Sequence, residues 1–225
     1  MFINNKMASG IYKLGIAAVC VVSVVLELLS GGRNMLPAFL GFSSVLYGIA
    51  FVLFCSQGLY ILLNKHDLRT SVLVTAKASL IVSTLGSAAI HFYFMFADQL
   101  AADSAFSVAS VISHIVLPLA LLLDWALFDR KGLMKATVIL ESLILPAAYL
   151  IYLFINYGAS SKYALSALAP YPFLGYNSAS LTDGAITAGC FALLFAAVAA
   201  IIFVADRLLG EAEHRRCCRL QRTKI

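Results

Sequence analysis

Imidazole, hydroxyl and carboxyl groups are sparse within the apolar stretches of this chain, and those present are the kind that do acyl chemistry. His91 and His114 fall in such stretches, as do Ser43, Ser44 and Glu27. A neutral imidazole beside a hydroxyl can take its proton and turn it into a nucleophile. A carboxylate can hold the ring in the required orientation. The catalytic expectation is His114 as general base, with Ser43 or Ser44 attacking an ester carbonyl. The same polar set could instead line the site of a non-catalytic binding protein or a transporter for an apolar or amphipathic ligand. A further alternative is a zinc site built from His91, His114 and Glu27. Their scattered spacing matches no metal motif, and no cofactor fingerprint occurs, so neither a metal nor a cofactor is expected.

Composition dictates what must position these groups. Of 225 residues, 62% are hydrophobic and 12% charged, and mean hydropathy is +0.93. A soluble domain averages roughly 45–50% apolar and about 25% charged residues. A soluble core of this size cannot hide so much apolar surface. The expected fold is therefore all-α, a polytopic bundle of six transmembrane helices. The apolar stretches are 14–30, 36–63, 78–97, 105–128, 136–157 and 184–209, and about 20 residues cross the hydrocarbon. The first stretch holds Glu27 and is followed by further spans, so it is expected to be retained rather than cleaved as a signal. No repeat or linker divides the chain: residues 1–209 read as one domain and 210–225 as a solvated basic tail.

Charge gives the direction. Counting Lys and Arg between stretches places fourteen on one side, including Lys13 and Lys77, and only Arg33 and Lys162 on the other. Basic residues accumulate on the cytoplasmic side, so both termini are expected in the cytoplasm. The net charge of +5 then orients the chain and faces membrane lipids; it does not imply nucleic acid. At 1.5 Å per residue, His114 lies about 14 Å below the outer surface and Ser43 and Ser44 roughly 10–12 Å. Helical spacing puts Ser79, Ser83, Ser87 and His91 on one face. It puts Ser107, Ser110, His114, Pro118, Leu121 and Trp125 on another. The serines read first as small packing residues that let helices approach. Trp125 reads as an interfacial anchor, and Glu141 as a partner for basic residues at the inner end. Of the five cysteines, Cys20, Cys55 and Cys190 lie in apolar runs, and Cys217 and Cys218 are adjacent in the tail. No disulfide framework is indicated.

Taken in order, several motifs resemble those of bacterial Pr-six-Pr membrane proteins, distant relatives of the androgen-induced and androgen-dependent TFPI-regulating proteins. They are His114 and Pro118 followed by Asp124-Trp125, then Pro146, Tyr149 and Tyr152. Tyr171 to Leu174 and Asp206-Arg207-Leu208 follow, with His91 preceding them all. The resemblance runs over about residues 36–209. It implies a bacterial inner-membrane protein and intramembrane hydrolysis of fatty-acid esters, with His114 at the catalytic histidine position. Leu40 stands where the family has its threonine nucleophile, and Ser43 is the nearest hydroxyl. Glu27, His91, Pro118, Tyr149 and Tyr171 are the expected substrate-contacting residues, and the ligand or substrate is a small lipid-like molecule. Oligomeric state is not fixed by the sequence.

Overall fold

The computed structural model describes residues 5–30, 42–64, 71–101, 108–159 and 181–222. Every regular element among them is helical. α1 is Lys6–Ser30, α2 is Phe42–Asn64 and α3 is Ser71–Ala101. α4 runs through Val108–Val111, a π-helical turn at Ile112–Val116, and Leu117–Phe128. α5 is the short Val138–Glu141, α6 is Ile144–Ala159 and α7 is Leu181–Arg222. Four segments are long and apolar enough to cross a membrane: Lys6–Leu26, Phe42–Asn64, Val72–Tyr93 and Gly189–Arg215. Ile112–Phe128 and Val138–Tyr149 are shorter apolar helices. Such a chain is an apolar helical bundle of membrane type, because only helices satisfy their own backbone in lipid.

Four boundaries differ from expectation, each for a physical reason. α1 and α3 begin at Lys6 and Ser71, well before 14 and 78. Lys13 and Lys77, counted above as loop charges, are inside these helices and buried; aspartates on other elements neutralise them. The fifth stretch is broken at Ser142 and Leu143 into α5 and α6. Pro146 lacks the N–H that the Ser142 carbonyl would take in a continuous helix, and the Ser142 hydroxyl donates back to the Val138 carbonyl at 2.6 Å. α7 continues through the basic tail to Arg222 as one helix. An Arg215–Glu211 pair at 3.3 Å, one turn apart, supports that exposed end.

α1 and α2 pack along most of their length. A Cβ on Gly58 would lie 2.9 Å from Leu14, and one on Gly10 2.8 Å from Leu62. Small residues at these two points are what bring the helices together. The core between α1, α2, α3 and α4 holds Leu46, Phe54, Ile81, Leu117 and Leu121, all fully buried. α7 leans on α3, where the Phe195 ring occupies the space a Gly86 side chain would need. Gly86→Ala is expected to destabilise by about 1–3 kcal/mol through overpacking, and pairing it with Phe195→Leu should recover most of the loss. Unfolding midpoints in detergent check both. After α4 the chain reverses at Gly132, whose φ of +77° suits glycine. There the backbone meets α7, and a Cβ on Gly210 would come within 2.8 Å of the Gly132 Cα.

Candidate functional site

The widened turn of α4 has a local cause. Pro118 cannot donate to the carbonyl four residues back, and its ring crowds that carbonyl. The helix adjusts just before it: the Leu117 N–H reaches back five residues to the Ile112 carbonyl. Single π turns of this kind are frequent at functional sites. This one carries His114, half-buried. Its Nδ1 lies 3.2 Å from the Ser110 carbonyl. A carbonyl only accepts, so Nδ1 carries the hydrogen, and the Nε2 of a neutral ring presents a lone pair.

α3 supplies the second ring. His91 stacks on His114 with centroids 3.8 Å apart and planes 18° from parallel. The Ser110 Oγ lies 2.9 Å from His91 Nε2. With the hydroxyl as donor, this is the contact a base makes with the nucleophile it activates. Ser110 thus joins both rings, through its hydroxyl to His91 and through its carbonyl to His114. Helix periodicity had placed Ser110 and His114 on one face; only the packing of α3 against α4 adds His91 to them.

The other expected residues are distributed as follows. Ser44 is buried and Ser43 half-buried on α2, which packs against α1 and α3. The Ser110 hydroxyl on α4 reaches an imidazole. Pro118 is buried in α4. Tyr149 is buried on α6, its ring 4.9 Å from that of Phe42 and 5.9 Å from that of Tyr152. Glu27 lies on α1, but its side chain is outside the described residues, as are Leu40 and Tyr171. Among the described residues no three His, Cys, Asp or Glu side chains converge in a way that could hold a metal ion.

A second polar assembly lies at the opposite end of α3 and α4, centred on Asp124. Lys77 precedes His91 by fourteen residues, about 21 Å of helix. Asp124 is fully buried and takes Lys13 Nζ on Oδ1 at 2.6 Å and Lys77 Nζ on Oδ2. Lys77 also bonds both oxygens of Asp129, at 2.8 and 2.6 Å. Two ammonium groups thus meet two carboxylates, which makes their burial tolerable. Trp125 is buried rather than anchored in the interface. The Lys131 Nζ sits 3.9 Å from the centre of its ring and donates to its carbonyl, a cation–π arrangement. Burial pushes the Lys131 ammonium down to about 8. Asp206 on α7 accepts the Met134 N–H at 3.0 Å, tying the loop after α4 to that helix. Glu141 forms no ion pair among the described residues; its carbonyl accepts the Ser79 hydroxyl at 3.5 Å. The signal that could have revealed the assembly is the position of Lys13 and Lys77, each inside rather than beside an apolar helix.

Comparison with known proteins finds no matching family model, no matching characterised sequence and no matching solved structure.

Proposed function

We propose that the chain is a six-span membrane protein, related to the Pr-six-Pr group, that hydrolyses a fatty-acid ester in the outer half of the bilayer. Both termini then face the cytoplasm, following the bias of basic residues to one side. Two short apolar helices, Ile112–Phe128 and Val138–Tyr149, complete six crossings with the four long ones. The assembly of Lys13, Lys77, Asp124 and Asp129 then lies toward the cytoplasm and the two imidazoles toward the outside.

The observation that carries ester hydrolysis is the 2.9 Å contact between Ser110 Oγ and His91 Nε2. The hydroxyl proton passes to His91 Nε2 as Oγ attacks the ester carbonyl. The imidazolium then returns that proton to the departing alkoxide, leaving an acyl-serine. A water deprotonated by His91 cleaves the acyl group and regenerates the hydroxyl. His114 is a positioning residue here: its Nδ1–H holds the Ser110 carbonyl, and its ring supports His91 face to face. Treatment of the protein in nanodiscs with a long-chain fluorophosphonate should label Ser110, as read by peptide mass spectrometry. Labelling that falls elsewhere, or is absent, rejects Ser110 as nucleophile.

A second reading, non-catalytic binding of an amphipathic ligand, is favoured by a separate feature. An apolar groove of about 470 Å³ runs beside α3, lined by Val72, Thr75, Leu80, Val138, Ile144 and Leu145 among others. Retention of a fluorescent fatty-acid ester without turnover supports this reading over hydrolysis.

A further inference from the structure

The buried ionic assembly borders a cavity of about 60 Å³. Lys13, Gln57, Lys77, Trp125, Asp129 and Asp206 contribute to its wall, with Arg130 at the loop after α4. Gln57 is 4% exposed and Trp125 6%, yet Gln57 Nε2 and Trp125 Nε1 have no hydrogen-bond partner among the described residues. Both atoms are pure donors. Leaving such groups unmet when buried costs roughly 1–3 kcal/mol each. Lys13 Nζ spends one N–H on Asp124, and an ammonium has two more. Lys77 bonds both oxygens of Asp129. Asp206 spends one oxygen on the Met134 N–H. The cavity wall therefore presents unmet donors from three helices, α1, α2 and α4.

We propose that this cavity binds a small oxyanion of the phosphate class, held by the Lys13 ammonium, the Gln57 carboxamide and the Trp125 indole N–H. The unmet groups of this wall are donors, and an oxyanion brings the acceptors they need. Three carboxylates lie nearby: lysines neutralise Asp124 and Asp129, and Asp206 acts on the Lys131 ammonium; Arg130 in the wall adds a further positive charge. The oxyanion has two possible sources: the phosphate of an anionic lipid, or free phosphate from the adjacent aqueous phase. The site is independent of ester hydrolysis. It lies about 16 Å along α4 from His114, the rise of eleven residues, and it uses none of the residues of that reaction.

The test exploits Trp125, the only tryptophan in the chain. Its emission is followed in nanodiscs of phosphatidylcholine during titration with inorganic phosphate, with chloride at matched ionic strength as the reference. In parallel, emission is compared between nanodiscs of phosphatidylcholine and those containing phosphatidylglycerol. A saturable change with inorganic phosphate alone assigns the free ion. A change in the phosphatidylglycerol discs that added phosphate does not reproduce assigns the lipid headgroup. Either response should weaken at least tenfold in Gln57→Leu, which removes a donor without touching the ion pairs, and more in Gln57→Glu, which adds a repelling charge. Lys13→Met serves as a third variant where it folds. No response beyond that of chloride in either arm overturns the proposal and leaves water as the occupant. An unchanged midpoint in both Gln57 variants overturns it equally.

Discussion

Asp124→Ala is expected to be the most damaging single substitution in the protein. It removes the carboxylate shared by Lys13 and Lys77. Lys77 keeps Asp129, but Lys13 is left buried with no other carboxylate described as bonding it. Breaking a buried ion pair on one side typically costs 3–5 kcal/mol, because a desolvated charge is left uncompensated. Equilibrium unfolding in mixed micelles should show a loss of about that size. The partner experiment separates charge from packing. Asp124→Leu combined with Lys13→Met removes both charges and should return stability to within about 1 kcal/mol of the parent, since apolar replacements of buried pairs are often neutral or stabilising. Parent-like stability in Asp124→Ala alone would mean that the assembly is hydrated rather than desolvated, and the account of the early start of α1 would fall with it.

Ser110→Ala and His91→Ala should each reduce hydrolysis of a long-chain fatty-acid ester by about 10²–10⁴-fold, the range for losing acid–base catalysis. Helix content and unfolding midpoint should barely move, because neither residue is fully buried. His114 offers a finer distinction. His114→Ala loses the donor to the Ser110 carbonyl, whereas His114→Gln can still place an N–H there. If His114 positions Ser110, the glutamine variant keeps more kcat than the alanine variant, with KM nearly equal in the two. Ser43→Ala and Ser44→Ala test the alternative nucleophiles on α2. Abolished turnover in either of these, with Ser110→Ala active, transfers the nucleophile to α2 and rejects the pairing of Ser110 with His91.

The apolar helices were largely legible from residues alone. Runs such as the one ending at Asn64 or the one through Ile202 are apolar over enough consecutive positions that the period and length of a spanning helix are fixed locally. The π turn was half legible. The spacing of His114 and Pro118 marks a bend, but whether the backbone answers with a kink or a wider turn depends on the neighbours that pack there. The position of Ser110 beside His114 followed from helical periodicity, four residues being one turn. Lys13 and Lys77 were read as loop charges for a definite reason: a charge near the end of an apolar run looks the same whether it contacts water or a buried counter-ion.

By itself, then, the sequence determined that this chain is a set of apolar helices with basic residues biased to one end, because hydropathy and helical period are properties of neighbouring residues. Tertiary structure decided which polar groups meet. His91 and Ser110 belong to different helices, and Lys13 and Asp124 are 111 residues apart. No local pattern encodes such pairs. They form because the burial of Cys20, Leu46, Ile81, Leu117 and Leu121 in one core brings α1, α2, α3 and α4 side by side. Once those helices are packed, each polar group has to find its partner among the few that remain within reach.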